Sequence, residues 1–159
     1  MATAISHIQF HYLYREFTFR HRKAVKVFLD KKFAELGRPI EQLNYIFCSD
    51  AYLLEINQQY LQHDTLTDII TFELGPKSQP LLSDIYISVE RVRENAALFN
   101  VAFERELHRV IFHGALHLMG YKDKNRGDKE RMRTMEEAYL GEYFVSRSTV
   151  SYRNESGLK

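Results

Sequence analysis

The stretch from Ala102 to Met119 constrains this chain more than any other. Leu107, Val110, Ile111, Gly114, Ala115 and Leu118 recur at helical intervals and define one face that has to pack on other structure. His113 and His117, four residues apart, fall on an adjoining face one turn from each other, where both imidazoles can grip a single cation. Such a helix is mostly buried, with a cleft along one side. Gly120 suits a left-handed cap, so the chain can turn back on the last helical turn and bring Asp123 within reach as a third ligand. Two imidazoles and a carboxylate fill three corners of a tetrahedral zinc site and leave the fourth for water, the arrangement of a hydrolytic rather than a structural metal.

The other elements follow from period and punctuation. Ile8, Phe10, Tyr12 and Tyr14 alternate with polar partners as an opening strand, and Arg20 to Leu36 carries apolar residues at helical spacing up to Gly37. Leu43 to Cys48 reads as a second strand. Ser49 or Asp50 can cap a helix over Ala51 to Leu61. Asp68 to Leu74 is rich in β-branched and aromatic residues, and the Gly75 to Pro80 loop joins it to Asp84 to Ser88 as an antiparallel hairpin. Helices are expected over Val89 to Phe99, Ala102 to Met119 and Asp128 to Leu140, with a polar carboxyl-terminal tail that frays or adds a short strand. With 159 residues, 45% of them hydrophobic, the expected fold is a single domain of α/β (α+β) type. It has a mixed sheet of about four strands, flanking helices, and the metal-site helix against the sheet.

Charge excludes less than it suggests. The net charge is +1 with neutral histidines, so a nucleic-acid surface has to be a local patch. One such patch, Lys122, Lys124, Arg126, Lys129, Arg131 and Arg133, begins at the proposed metal site, where a phosphate backbone could pass over the bound water. The single cysteine, Cys48, precludes an intrachain disulfide and suits a small buried residue. No apolar run reaches the length of a membrane span and no signal-peptide core is present, so a cytoplasmic protein is expected. Thr67 and Asp68, before the third strand, can line a cleft, as can His63 and Asp64 in the loop preceding them. Their alternative role is turn chemistry. Gly114 occupies the place that a general-base Glu holds in metalloproteases of the HExxH type, which argues against a peptidase.

The run HGALHLMGYKD, residues 113–123, resembles the signature HGxLHLxGYDH of the YbeY family of ribosomal-RNA maturation endoribonucleases. Ile56, Asn57 and Tyr60 followed by TDIITF, and SDIYIS at Ser83 to Ser88, resemble two further family segments. The resemblance implies a mixed sheet with flanking helices, one Zn2+ in a cleft, and single-strand-specific cleavage in ribosomal-RNA processing and ribosome quality control on the small ribosomal subunit. It implies that His113 and His117 are metal ligands, and it aligns Asp123 with a third family His. Position 122 is Lys where the family usually has Asp. Leu61 stands where the family commonly has an Arg, so a cation for the scissile phosphate has to come from elsewhere.

The resulting expectation is a zinc-dependent endoribonuclease with ligands His113, His117 and Asp123, cleft residues Thr67 and Asp68, and RNA contacts from Lys122, Lys124 and Arg126. A non-catalytic, zinc-stabilised ribosome-assembly factor and a metal-dependent hydrolase of small molecules are the alternatives. Whether the cationic segment lines the cleft discriminates between them, since a closed or neutral cleft would favour the small-molecule hydrolase.

Overall fold

A strand that pairs in parallel with its successor cannot be closed by a tight turn and needs a crossover. The chain meets that requirement at once. Strand β1 (Ile8–Tyr12) leads into α1 (Arg22–Leu36), which returns the backbone to β2 (Ile40–Cys48) parallel to β1. The computed structural model describes residues 7–61 and 67–156, together with their side chains other than those of Leu61 and residues 147–156. After β2 the Ser49 hydroxyl accepts the Tyr52 backbone N–H at 3.1 Å and starts α2 (Asp50–Ile56), which widens into a π-helical turn, Asn57–Leu61. Strand β3 (Ile69–Glu73) pairs antiparallel with β4 (Leu81–Ser88), as the hairpin pattern predicts, and β4 pairs parallel with β2. The sheet order is β1-β2-β4-β3. Helices α3 (Val89–Phe99), α4 (Phe103–Leu118) and α5 (Arg126–Ser156) complete the α+β fold.

The two faces of the sheet are covered unequally. Leu81, Ile85 and Ile87 point into the main core with Phe28 and Phe33 of α1 and with Leu107, Ile111 and Ala115 of α4, all essentially buried. On the other face a small cluster of Cys48, Leu53, Ile56 and Ile70 lies with α2. Cys48 is buried as expected, and burial pushes its thiol up to about 12, which makes it unreactive.

Three boundaries differ from the sequence expectation by three residues or more. Strands β2 and β4 begin at Ile40 and Leu81, because their ladder continues past a bulge between Ile40 and Gln42. The last helix does not end at Leu140, and its backbone stays helical to Ser156 in place of the expected fraying or short strand. Tyr139, Leu140 and Tyr143 carry an apolar stripe beyond the expected end, and Tyr143 packs edge-on against Phe28 and Phe112. That second cover explains why α4 also buries Glu106, His108, Phe112 and Leu116, the side away from the sheet.

The fold places the start of β3 at the same edge as the carboxyl ends of β1, β2 and β4, since Ile69 pairs with Ile87. The Ser88 N–H donates to the Asp68 carbonyl at 3.0 Å and pins Thr67–Asp68 there. A Cβ at Gly114 would lie 3.0 Å from both Ile69 Cδ1 and Ile85 Cδ1, so the glycine permits α4 to lie directly on β3 and β4. That contact sets the histidine face beside the sheet edge.

Candidate active site

Arg109, His113 and His117 recur every four residues along α4 and face Thr67, Asp68, Ile69 and Thr71 across a cleft of about 270 Å³. Asp123 closes one side of it. His63 and Asp64 lie outside the described residues.

Each histidine is held from behind. The His113 Nδ1–H donates to Glu136 Oε2 at 2.7 Å, and Glu136, only 3% exposed, reaches the site from α5. Burial alone would lower the His113 pKa, but the Glu136 hydrogen bond and charge outweigh it and raise the pKa above its ordinary value. Burial likewise opposes the charge on Glu136, while His113 and Arg109 hold its pKa below the ordinary carboxylate range. Arg109 binds that carboxylate through Nη1 at 3.0 Å and holds the buried Glu106 through Nε at 3.0 Å and Nη2 at 2.5 Å. The Arg109 Nη2 is also 3.9 Å from the Asp68 carboxylate. Burial raises the Asp68 pKa, against the pull of Arg109 and His113.

His117 is exposed and is fixed by the turn after the helix. Gly120, at φ 107°, allows a paired closure in which its own N–H reaches the His117 carbonyl and the Tyr121 N–H reaches the Leu116 carbonyl, both at 3.1 Å. The same turn carries the Tyr121 carbonyl to the His117 ring, where it accepts the Nδ1–H at 3.0 Å. In their neutral form both rings therefore keep the proton on Nδ1 and offer the Nε2 lone pair. The rings lie within 5° of parallel with centroids 6.4 Å apart, and Asp123 Oδ2 is 3.4 Å from His113 Nε2. Among the described residues no set of three His, Cys, Asp or Glu side chains is gathered into a finished metal cage. The cleft presents two oriented imidazoles with a carboxylate beside one of them. This donor chemistry fits zinc, and the partners behind the rings are of the kind that orient metal-bound histidines.

The sequence-predicted residues His113, His117, Asp123, Thr67 and Asp68 all line this cleft, but the cationic segment does not. Lys122, Lys124 and Arg126 are exposed and outside its lining; Arg126 pairs with Glu130 at 3.3 Å and Arg131 with Asp128 at 2.5 Å. The cationic segment therefore does not supply the expected charge, and the cation that does face the cleft among the described lining residues is Arg109. Sequence reasoning missed it and its two glutamates, although Arg109 stands four residues before His113 on the ligand face, a spacing that marks a shared surface. Glu136 carried no such local signal.

Comparison with known proteins identifies the family. The family model described as "Endoribonuclease YbeY" matches residues 7–144. The chain is 55% identical to "Endoribonuclease YbeY" of Flavobacterium psychrophilum over 107 residues, 67% of this chain and 76% of that protein. It is 45% identical to the protein of the same name from Cytophaga hutchinsonii over 125 residues, 79% of this chain and 87% of that one. The solution structure of TM1509 from Thermotoga maritima is similar at a TM-score of 0.58 and 27% identity, covering 89% of this chain and 92% of the other. With the match running from the first strand into the last helix, the chain belongs to the YbeY endoribonuclease family.

Proposed function

We propose that the protein is a cytoplasmic, zinc-dependent endoribonuclease that cleaves single-stranded segments of ribosomal RNA in maturation and quality control of the small ribosomal subunit. The observation that carries this reading is the pair of held Nδ1 protons, which leaves the Nε2 atoms of His113 and His117 as ligands beside Asp123. No helix among the described residues is long and apolar enough to cross a membrane. When bound, zinc supplies Lewis-acid polarisation of water and phosphoryl oxygen.

The chain's own groups have distinct tasks. Glu136 and the Tyr121 carbonyl keep the two rings in the ligating tautomer. The Arg109 guanidinium spends its Nε–H and one N–H of each Nη on Glu106 and Glu136, and its remaining donors serve a phosphate oxygen in the cleft. In this role it replaces the cation that Leu61 does not provide. Thr67 and Asp68 border the same phosphate position, and the exposed Lys122, Lys124 and Arg126 draw the RNA toward it.

His117→Ala is the direct test, because His117 is exposed and its loss leaves the fold intact. The variant is expected to lose zinc and RNA cleavage while keeping most of its electrostatic RNA affinity. Cleavage at the wild-type rate by folded, zinc-free His117→Ala would refute the proposal.

A further inference from the structure

A second group of cations without acid partners lies away from the cleft. Residues 15–26 hold five Lys or Arg against one acid, Glu16, in a chain whose net charge is only +1. Arg15, Arg20, Arg22 and Lys23 are exposed, and among the described residues none has an acid within ion-pair distance. The segment is also rigidly displayed. Phe17 and Phe19 are buried while their neighbours Thr18 and Arg20 stay outside, and Phe17 packs edge-on against Phe103 at 6.0 Å. His21 pairs with Glu104 at 2.9 Å, which docks the loop on the start of α4. Arg93 of α3 adds a further exposed cation over the Phe103 ring at 5.4 Å.

Arg22 Nη1 donates to the Tyr12 hydroxyl at 3.2 Å, but two features say that the charge of the patch as a whole is not there for stability. Arg22 and Lys23 occupy the first turn of α1, where the helix dipole is already positive, with no acid in that turn. His21 supplies no side-chain cap bond to offset them. A sequence that breaks local rules in the same direction several times marks a surface shaped by a partner.

The topology relates this surface to the cleft. The loop leaves β1 at the carboxyl edge of the sheet, the edge off which Thr67 and Asp68 project. Between β1 and β3 lie three strand intervals, roughly 14 Å. Along α4, from the docked Glu104 to His113, the rise is also about 14 Å. One RNA strand lying in the cleft therefore reaches the patch along a single edge of the molecule. We infer that the surface of Arg15, Arg20, Arg22, Lys23 and Arg93 is a second RNA-binding site, which holds the sugar–phosphate backbone of the substrate outside the cleft and so favours longer strands over short ones. This inference rests on the endoribonuclease reading above.

The test compares wild type with Arg15→Gln/Arg20→Gln/Lys23→Gln in the full chain, by fluorescence-anisotropy binding of a tetranucleotide and of an RNA of about twelve nucleotides across a salt series. The triple variant is expected to bind the longer RNA roughly ten- to a hundredfold more weakly at 0.1 M salt, with its log–log salt slope shallower by about 2. Tetranucleotide binding is expected to stay unchanged. Lys23→Gln alone should raise the melting temperature slightly, which checks folding and the misplaced charge at the helix end. Arg15→Gln and Arg20→Gln, two loop substitutions, replace the triple variant should it not fold. An unchanged salt slope for the longer RNA, or equal losses for both lengths, overturns the inference. Failure of the wild-type, zinc-loaded chain to cut either RNA refutes the endoribonuclease reading instead, and the binding comparison still decides the patch.

Discussion

His113 and Asp123 stand 3.4 Å apart in one cleft and are held by quite different means. His113 is part of a buried lattice in which Glu106, Arg109 and Glu136 tie α4 to α5. Asp123 sits on an exposed turn between two lysines, set there by the closure around Gly120. The helix wall thus fixes direction in advance, while the turn wall contributes a charge whose position depends on a few backbone bonds. The difference separates the orientation of a site from the supply of its ligands, and substitutions on the two walls should fail in different ways.

The largest effect is expected on the helix wall. Arg109→Met leaves Glu106 and Glu136 buried without their shared cation, and should cost about 3–5 kcal/mol in urea unfolding. A loss under about 1 kcal/mol would mean that the lattice is more wetted than its burial implies. Glu136→Gln comes next. It releases His113 from its charged partner and should weaken zinc binding about 10–100-fold in chelator competition, although Glu136 is not itself in the cleft lining.

Acid and base should act on the same wall. In metal-stripped protein the depressed Glu136 pKa contributes stability that is present above the ordinary 4.5 and lost as pH falls through the folded value. The raised His113 pKa contributes stability that is complete below the ordinary 6.5 and lost as pH rises through the folded value. Both contributions coexist between about pH 4.5 and 6.5. Glu136→Gln should therefore flatten both limbs of the melting-temperature profile, and a profile identical to wild type would remove this pair from the account. The smallest effect on folding belongs to the turn wall. Neutralising Lys122, Lys124 and Arg126 together should leave unfolding within about 0.5 kcal/mol of wild type. It should also make the RNA salt slope shallower by about 2.

What the sequence discloses follows the same division. The histidine face, the stop at Gly120, the return of Asp123 to the cleft and the antiparallel hairpin were legible because each depends on periodicity or on turn chemistry within a few residues. Glu136 was not, since it meets His113 across 23 residues and only through the packing of α5 on α4. The length of α5 was missed for a related reason: its continuation rests on Tyr139 and Tyr143 meeting Phe28 and Phe112, and not on the polar tail itself. The cationic run Lys122 to Arg133 begins beside the cleft, but its basic residues are not in the cleft lining, and Arg126 and Arg131 pair with acids of the run itself.

The central claim is that the two pre-oriented imidazoles and Asp123 hold a zinc ion. Zinc K-edge absorption on protein purified without chelator tests it most directly, with elemental analysis of the same sample. The account predicts near-stoichiometric zinc with two imidazole nitrogens and a carboxylate oxygen at about 2 Å. One imidazole contribution should be lost in whatever zinc His117→Ala retains. Full zinc occupancy with no imidazole scattering, or an unaltered spectrum in His117→Ala, would contradict it.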